Sequence, residues 1–253
     1  MTWFDHLLFL GCVALATYAQ TMTGFAFGLV LLGLTGLFSL APLPEISNVV
    51  SLLTLANALV ALGQARSHLS WKLIRPPLAG SLAGVVLGVF LLEWISGNTA
   101  LLLRWLLGLT ILACAILLVA RTRPLARVSS RLSFILFGGL SGVLGGLFSS
   151  AGPPMVYQMY RQPLPLPVVR NSLLVLFSVN AVLRLALVAG HGSLGTMSLW
   201  LSLEALPVVV VLTWLVRRYV SAESVRTVKR LVFVLLLLAG LGLLIPATRA
   251  LIA

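Results

Sequence analysis

The sequence predicts an all-α integral membrane protein, an inverted repeat of two halves in which each half is a broken or re-entrant helical hairpin plus three transmembrane helices. Three observations predict it. Of the 253 residues, 60% are apolar and 9% are charged, too little polar surface to cover a soluble fold. Apolar stretches of about 17 to 25 residues, the length that crosses a ~30 Å hydrocarbon core, recur from end to end. They read as helices because a bilayer offers no water to unpaired backbone groups. Finally, the second half can be laid on the first at a fixed offset of 123 residues.

The apolar region 7–40 comes first and is too long for one span. Thr21-Met22-Thr23-Gly24 interrupts it, leaving pieces of about 12 to 16 residues that reach only ~18 to 24 Å, so the region reads as a hairpin. Uninterrupted spans follow at roughly 46–64, 74–94 and 100–120. Residues 121–131 carry four arginines and read as a cytoplasmic linker between a first repeat, 1–120, and a second, 132–253. The second repeat opens with another overlong region, 132–164, interrupted at Ser149-Ser150-Ala151-Gly152-Pro153-Pro154. Spans at roughly 168–188, 196–216 and 231–247 complete the chain.

The net charge of +12 does not imply a nucleic-acid partner, because the Lys and Arg residues sit between apolar runs, where they set topology. Arg66, Lys72 and Arg75 mark one loop; Arg121, Arg123, Arg127 and Arg131 a second; Arg161 and Arg170 a third; Arg217, Arg218, Arg226, Lys229 and Arg230 a fourth. With all four in the cytoplasm, 14 of the 17 basic residues are inside, and the turns near Glu45, Glu93 and His191 are outside with none. Region 7–40 then starts and ends outside, and region 132–164 starts and ends inside. Met1 to His6 lacks a basic segment and no small-residue cleavage pattern follows, so no removable signal peptide is expected. Cys12 and Cys114 lie inside apolar runs without metal-ligand spacing and read as packing residues. Trp3, Trp71, Trp94, Trp105 and Trp200 fall near span ends, as interfacial anchors do.

The offset lays Pro42-Leu43-Pro44 on Pro165-Leu166-Pro167, Asn48 on Asn171, Asn57-Ala58 on Asn180-Ala181, and His68 and Ser70 on His191 and Ser193. It also carries Phe25 on to Phe148, so the two breaks correspond. Hairpin plus three spans is an odd number of crossings, which forces the halves into opposite orientation. Inverted repeats with a broken helix in each half are an architecture of secondary transporters, whose site lies near the midplane. A half-helix starting inside the membrane aims unpaired N–H groups and a partial positive charge at such a site, which suits an anion. The candidates are Thr23, Gly24 and Phe25 from the first break and Ser149, Ser150 and Gly152 from the second. Gly138 and Gly142 read instead as packing residues that let helices approach closely.

Asn57 and Asn180 fall near the middle of their spans, where an amide needs a partner, either a ligand or another helix. Arg184 lies one turn after Asn180, so the two can present a charged fork and an amide to one anion; the competing reading is an arginine snorkelling to the outer interface. Glu204, followed by Pro207, is the one carboxylate placed deep in a span and suits a proton carrier, or else a structural pair with an arginine. Glu45, after Pro44, reads as support for a helix N-terminus, and His68 and His191 read as loop residues.

Two Gly-rich interrupted segments, each followed by a proline turn and an Asn-bearing span, with Gly145-Gly146-Leu147-Phe148 leading to Gly152-Pro153, resemble the TauE/SafE sulfite exporter family over almost the whole chain. The resemblance implies secondary transport of sulfite, sulfoacetate or another organosulfonate across a bacterial inner membrane by alternating access, with no bound cofactor. The implied partners are a small anion and the lipid bilayer; a homodimer is compatible with the sequence. This chain departs from the family's glycine runs at Thr23-Gly24-Phe25-Ala26-Phe27-Gly28 and at Ser149-Ser150-Ala151, so its pocket is shaped differently. Gly139-Leu140-Ser141-Gly142 also matches the GxSG of rhomboid-type intramembrane serine proteases, with His191 as the base. The topology separates that Ser from that His. A membrane scaffold is the third reading, and no soluble interaction domain supports it.

Overall fold

The computed structural model describes residues 2–63, 71–98, 100–119, 125–150, 152–219 and 225–252. Arg66, His68, Ser70, Arg121, Arg123 and Ala151, used in the reading above, lie outside the described residues. Among the described residues all regular structure is helical. Helices α1 (Trp3–Thr23) and α2 (Phe27–Leu37) flank the first break, and α3 (Leu43–Gly63), α4 (Trp71–Asn98) and α5 (Ala100–Val119) follow. Helices α6 (Arg131–Phe148) and α7 (Gly152–Tyr160) flank the second break, and α8 (Leu166–Gly190), α9 (Thr196–Tyr219) and α10 (Val225–Ile252) complete the order. Each half is thus a broken pair followed by three helices. Among the described residues, α3, α4, α6, α8, α9 and α10 contain segments long and apolar enough to cross a membrane, and the chain is a multi-pass membrane protein.

The arms of the two broken pairs differ from the near-equal pieces expected. The first arms have 21 and 18 residues and the second arms 11 and 9, which is about 30 Å against about 15 Å. The reason lies in the caps. Thr2 and Asp5 form a capping box, with reciprocal bonds of 3.3 and 2.7 Å, so α1 starts four residues before the apolar region. Ser130 accepts the Ser133 amide at 3.3 Å and starts α6 at Arg131, which makes α6 long enough to cross by itself.

The basic loops gather at one end of the bundle. Lys72, Ser129, Arg131 and Leu164 line one cavity, the Leu125 amide donates to the Arg161 carbonyl at 2.8 Å, and the Arg217 guanidinium donates to the Ala61 carbonyl near the end of α3. The turns without Lys or Arg meet at the other end of α3. There Glu45 accepts the Ser198 amide at 3.1 Å, satisfying an orphan donor of the first turn of α9, and Glu93 lies 3.5 Å from His191. Glu45 therefore serves a helix N-terminus, that of α9 as well as its own.

Close backbone packing holds α4 against α6. A Cβ added at Gly138 would stand 2.8 Å from Pro77 Cα, one at Gly142 2.7 Å from Ser81 Cα, and one at Gly146 2.7 Å from Gly88 Cα. The packing reading of Gly138 and Gly142 matches this contact. The reciprocal stripe on α4, Gly80, Gly84 and Gly88, is equally crowded by α6 backbone, an arrangement that replaces the missing hydrophobic drive in lipid by dispersion contacts. Elsewhere the packing pairs recur when the halves are exchanged: α1 packs on α9 as α6 on α4, α2 on α10 as α7 on α5, and α3 on α9 as α8 on α4. At the first break the non-helical backbone stays out of lipid, since every residue from Ala19 to Gly36 is buried, a condition under which a broken helix is tolerated at membrane depth.

Candidate substrate site

Helix α8 carries Arg184 to a place sealed from solvent, with 1% of the residue exposed. Its Nε donates to the Gly146 carbonyl at 3.0 Å, and its Nη1 donates to Asn48 Oδ1 at 2.9 Å and Ser51 Oγ at 3.2 Å. Nη2 is buried with no hydrogen-bond partner, and the ion pairs found among the described residues give Arg184 no carboxylate. The side chain does not snorkel; it turns inward. A cation held this way costs several kcal/mol and leaves one guanidinium edge unsatisfied. Arg184 stands six residues before the end of α8, about 9 Å along the axis, so the cluster lies towards the Glu45 end rather than midway along α8.

The second break joins this cluster directly. Ser149 closes α6 at φ +52°, a left-handed conformation that costs a non-glycine residue about 1 kcal/mol. Its hydroxyl contacts that of Ser51, which in turn accepts from Arg184. Ser150 is buried against Gly28, where an added Cβ would meet the Ser150 Cβ at 3.0 Å, and Gly152 packs against Leu29, whose Cδ1 lies 3.3 Å from its notional Cβ. The first turns of α2 and α7 therefore meet at the second break, which the Ser149 and Ser51 hydroxyls link to Arg184. Two half-helix N-termini and an uncompensated guanidinium add positive potential at one buried place, which suits an oxyanion. Ser149→Gly is expected to leave the thermal midpoint unlowered, because glycine adopts this φ freely, while slowing transport about tenfold through loss of the hydroxyl. A variant as active as wild type in flux assays would remove Ser149 from the site.

Thr23, Gly24 and Phe25 belong to the opposite pole of the first break. Gly24 takes φ +86° and donates to the Gln20 carbonyl at 2.6 Å, capping α1. The carbonyls here are occupied: Met22 O accepts from the Arg170 guanidinium, and Thr23 O accepts from the Tyr160 hydroxyl at 2.6 Å. The Thr23 hydroxyl bonds Ala19 O at 2.7 Å, and Phe25 stands edge-to-face with Tyr160 at 6.1 Å. This is a helix C-terminus, negative in its partial charge and covered by a cation; the buried donor without a partner here, Nε of Arg170, belongs to that cation.

Asn57 and Asn180 bond other helices. Asn57 Nδ2 donates to Thr213 Oγ1 on α9 at 2.8 Å, and its Oδ1 accepts from Gln20 Nε2 at 3.4 Å. Gln20 Oε1 in turn accepts the Phe27 amide at 3.1 Å, which fixes the start of α2. Asn180 Oδ1 accepts from Ser81 on α4 at 2.9 Å. Glu204 is half-buried and bonds His6 of α1 at 2.7 Å; its partner is a histidine, not an arginine. Sequence reasoning missed Asn48 and Ser51 as ligands of Arg184, although their spacing of three places them on one helical face. It also missed Gln20, the one carboxamide in region 7–40.

A family description, sulfite exporter TauE/SafE, matches residues 8–243. The chain belongs to the TauE/SafE family. A probable sulfite/organosulfonate exporter TauE of Cupriavidus necator is 37% identical over 234 residues, covering 92% of this chain and 91% of the relative. No solved structure matches the chain. TauE/SafE is a family of transporters and not of enzymes, and the GxSG reading ends here. Ser141 is buried within α6, whereas the His191 ring meets Glu93, Phe90 and the Leu187 carbonyl.

Proposed function

We propose that this TauE/SafE protein moves a small sulfur-containing oxyanion, sulfite or an organosulfonate such as sulfoacetate, across the inner membrane by alternating access. The observation that carries the reading is the buried Arg184 guanidinium with no carboxylate and with Nη2 unpartnered, linked by the Ser51 and Ser149 hydroxyls to the break where the N-termini of α2 and α7 meet. An oxyanion at that guanidinium supplies the missing counter-charge and the missing acceptor together. The relative's exporter name supports the substrate class. The packing pairs that recur on exchange of the halves support an inverted repeat, and hence two interchangeable access states.

The same reading gives the His6–Glu204 pair the proton. It joins α1, the long arm of the first broken pair, to α9 through a histidine and a carboxylate in hydrogen-bond contact. Uptake of labelled sulfite and sulfonates into proteoliposomes, with and without a pH gradient, tests both parts. Saturable flux is expected for wild type, and Glu204→Gln is expected to keep downhill flux while losing about threefold or more of its stimulation by the gradient. No flux of any such anion by folded protein removes the substrate class. A gradient response that survives in Glu204→Gln removes the proton role.

A further inference from the structure

The guanidinium cluster borders a space with no part in the reading above. A cavity of about 260 Å³ opens between α3, α4 and α8 at the Glu45 end of the bundle. Val89, Leu92 and Val188 form its apolar wall, and Asn48, Glu93 and Ser193 its polar one. Asn48 belongs to both places: its Oδ1 accepts from Arg184 at 2.9 Å while its Nδ2 donates to the Ser193 carbonyl at 3.4 Å. We propose that this cavity is the outer vestibule of the anion site, that Asn48 is the gate between the two, and that Glu93 clears the released anion from it. The inference rests on the reading of Arg184 as the anion's ligand.

The gate argument follows from what each bond is worth. An oxyanion that takes Nη1 from Asn48 replaces a neutral acceptor by a charged one, roughly doubling the strength of that bond. The displaced amide gives up one long contact to Ser193 and can turn into the cavity that it already lines. The clearing argument follows from charge. Glu93 Oε1 is buried and has no hydrogen-bond partner. The nearest cation-forming group, His191 Nδ1 at 3.5 Å, is itself bonded to the Leu187 carbonyl at 2.8 Å. Glu45, from α3, is engaged by the Ser198 amide, and no Lys or Arg lines the cavity. A carboxylate at the wall of a narrow cavity lowers the local concentration of anions. An anion that enters the cavity from either side is destabilised there, so the carboxylate shortens its stay in the vestibule without giving transport a direction.

Thiol labelling tests the inference without requiring flux. Cys12 and Cys114 are buried, so an introduced thiol reports alone. In intact cells carrying Ser193→Cys, a membrane-impermeant cationic methanethiosulfonate is expected to react faster than an anionic one, and adding Glu93→Gln is expected to cut that ratio about fivefold. Behind the gate, Ser51→Cys and, as a second position, Ser149→Cys are expected to label slowly from outside and at least about tenfold faster once Asn48→Ala is added. A Ser193→Cys thiol unreactive from outside, or a charge preference indifferent to Glu93→Gln, overturns the vestibule. Labelling at both inner positions unchanged by Asn48→Ala overturns the gate. Labelling as expected in a protein that moves no sulfite or sulfonate leaves vestibule and gate standing and overturns the substrate reading instead.

Discussion

Arg184→Ala is expected to lower the efficiency of sulfite or sulfonate flux at least about 100-fold in proteoliposomes, the equivalent of ~2.7 kcal/mol of lost anion binding. The guanidinium is the one buried cation of the cluster, and its Nη2 has no protein acceptor, so nothing nearby substitutes for it. The protein is expected to remain folded, because deleting a desolvated cation that no carboxylate compensates removes a penalty as well as three hydrogen bonds. Arg184→Lys keeps the charge but loses the planar fork that reaches Gly146, Asn48 and Ser51 together, and an intermediate loss of about tenfold is expected. The measurement is initial rate against substrate concentration, beside size-exclusion profiles of each variant. Full flux in a well-folded Arg184→Ala would assign the arginine to helix stapling and remove it from the anion's path.

Gly142→Leu is expected to prevent recovery of folded protein. The Cβ alone would stand 2.7 Å from Ser81 Cα and 2.8 Å from its carbonyl carbon, atoms that cannot move without parting α4 from α6. Side-chain overpacking costs about 1 to 3 kcal/mol where neighbours can yield; here the neighbour is backbone, and the loss falls on a total stability of about 5 to 15 kcal/mol. Gly11, where an added Cβ meets nothing within 4 Å, supplies the control, and Gly11→Leu is expected to behave as wild type. The readout is the fraction of monodisperse protein after detergent extraction. Equal recovery of Gly142→Leu and wild type would show that the helices are not in close contact there.

Much of this architecture is legible in the sequence because the bilayer makes hydropathy and charge so restrictive. Five of the six expected spans, the two breaks and the gathering of basic loops at one end follow from run length and from Lys and Arg placement; at 100–120 the apolar helix among the described residues, Leu101–Leu117, falls short of a crossing. Arm lengths were not legible, because caps such as Thr2 and Ser130 lie outside the apolar runs and lengthen the first arms. At the site, Arg184 stood out as a charge within a span, but its partners did not. Asn48 and Ser51 sit near the start of α3, where polar residues are ordinary, and only the fold brings them under α8. Polarity was also misjudged at the first break. Thr23, Gly24 and Phe25 end a helix, while Gly28, beyond the turn, begins one, and a sequence does not mark on which side of an interruption the donors face.

The glycine stripes on α4 and α6 have counterparts under the 123-residue offset: Leu15, Ala19 and Thr23 on α1, and Leu203, Pro207 and Val211 on α9. One flank is backbone laid on backbone; on the other Leu15, Leu203 and Val211 are exposed, and His6 and Glu204 bridge the two helices. Backbones in contact cannot slide past one another without a clash. Helix α4, from the first half, is thereby locked to α6, from the second. The two halves are thus tied together through close backbone contact inside the bundle, and not only at residues 121–131 where the chain passes from one to the next.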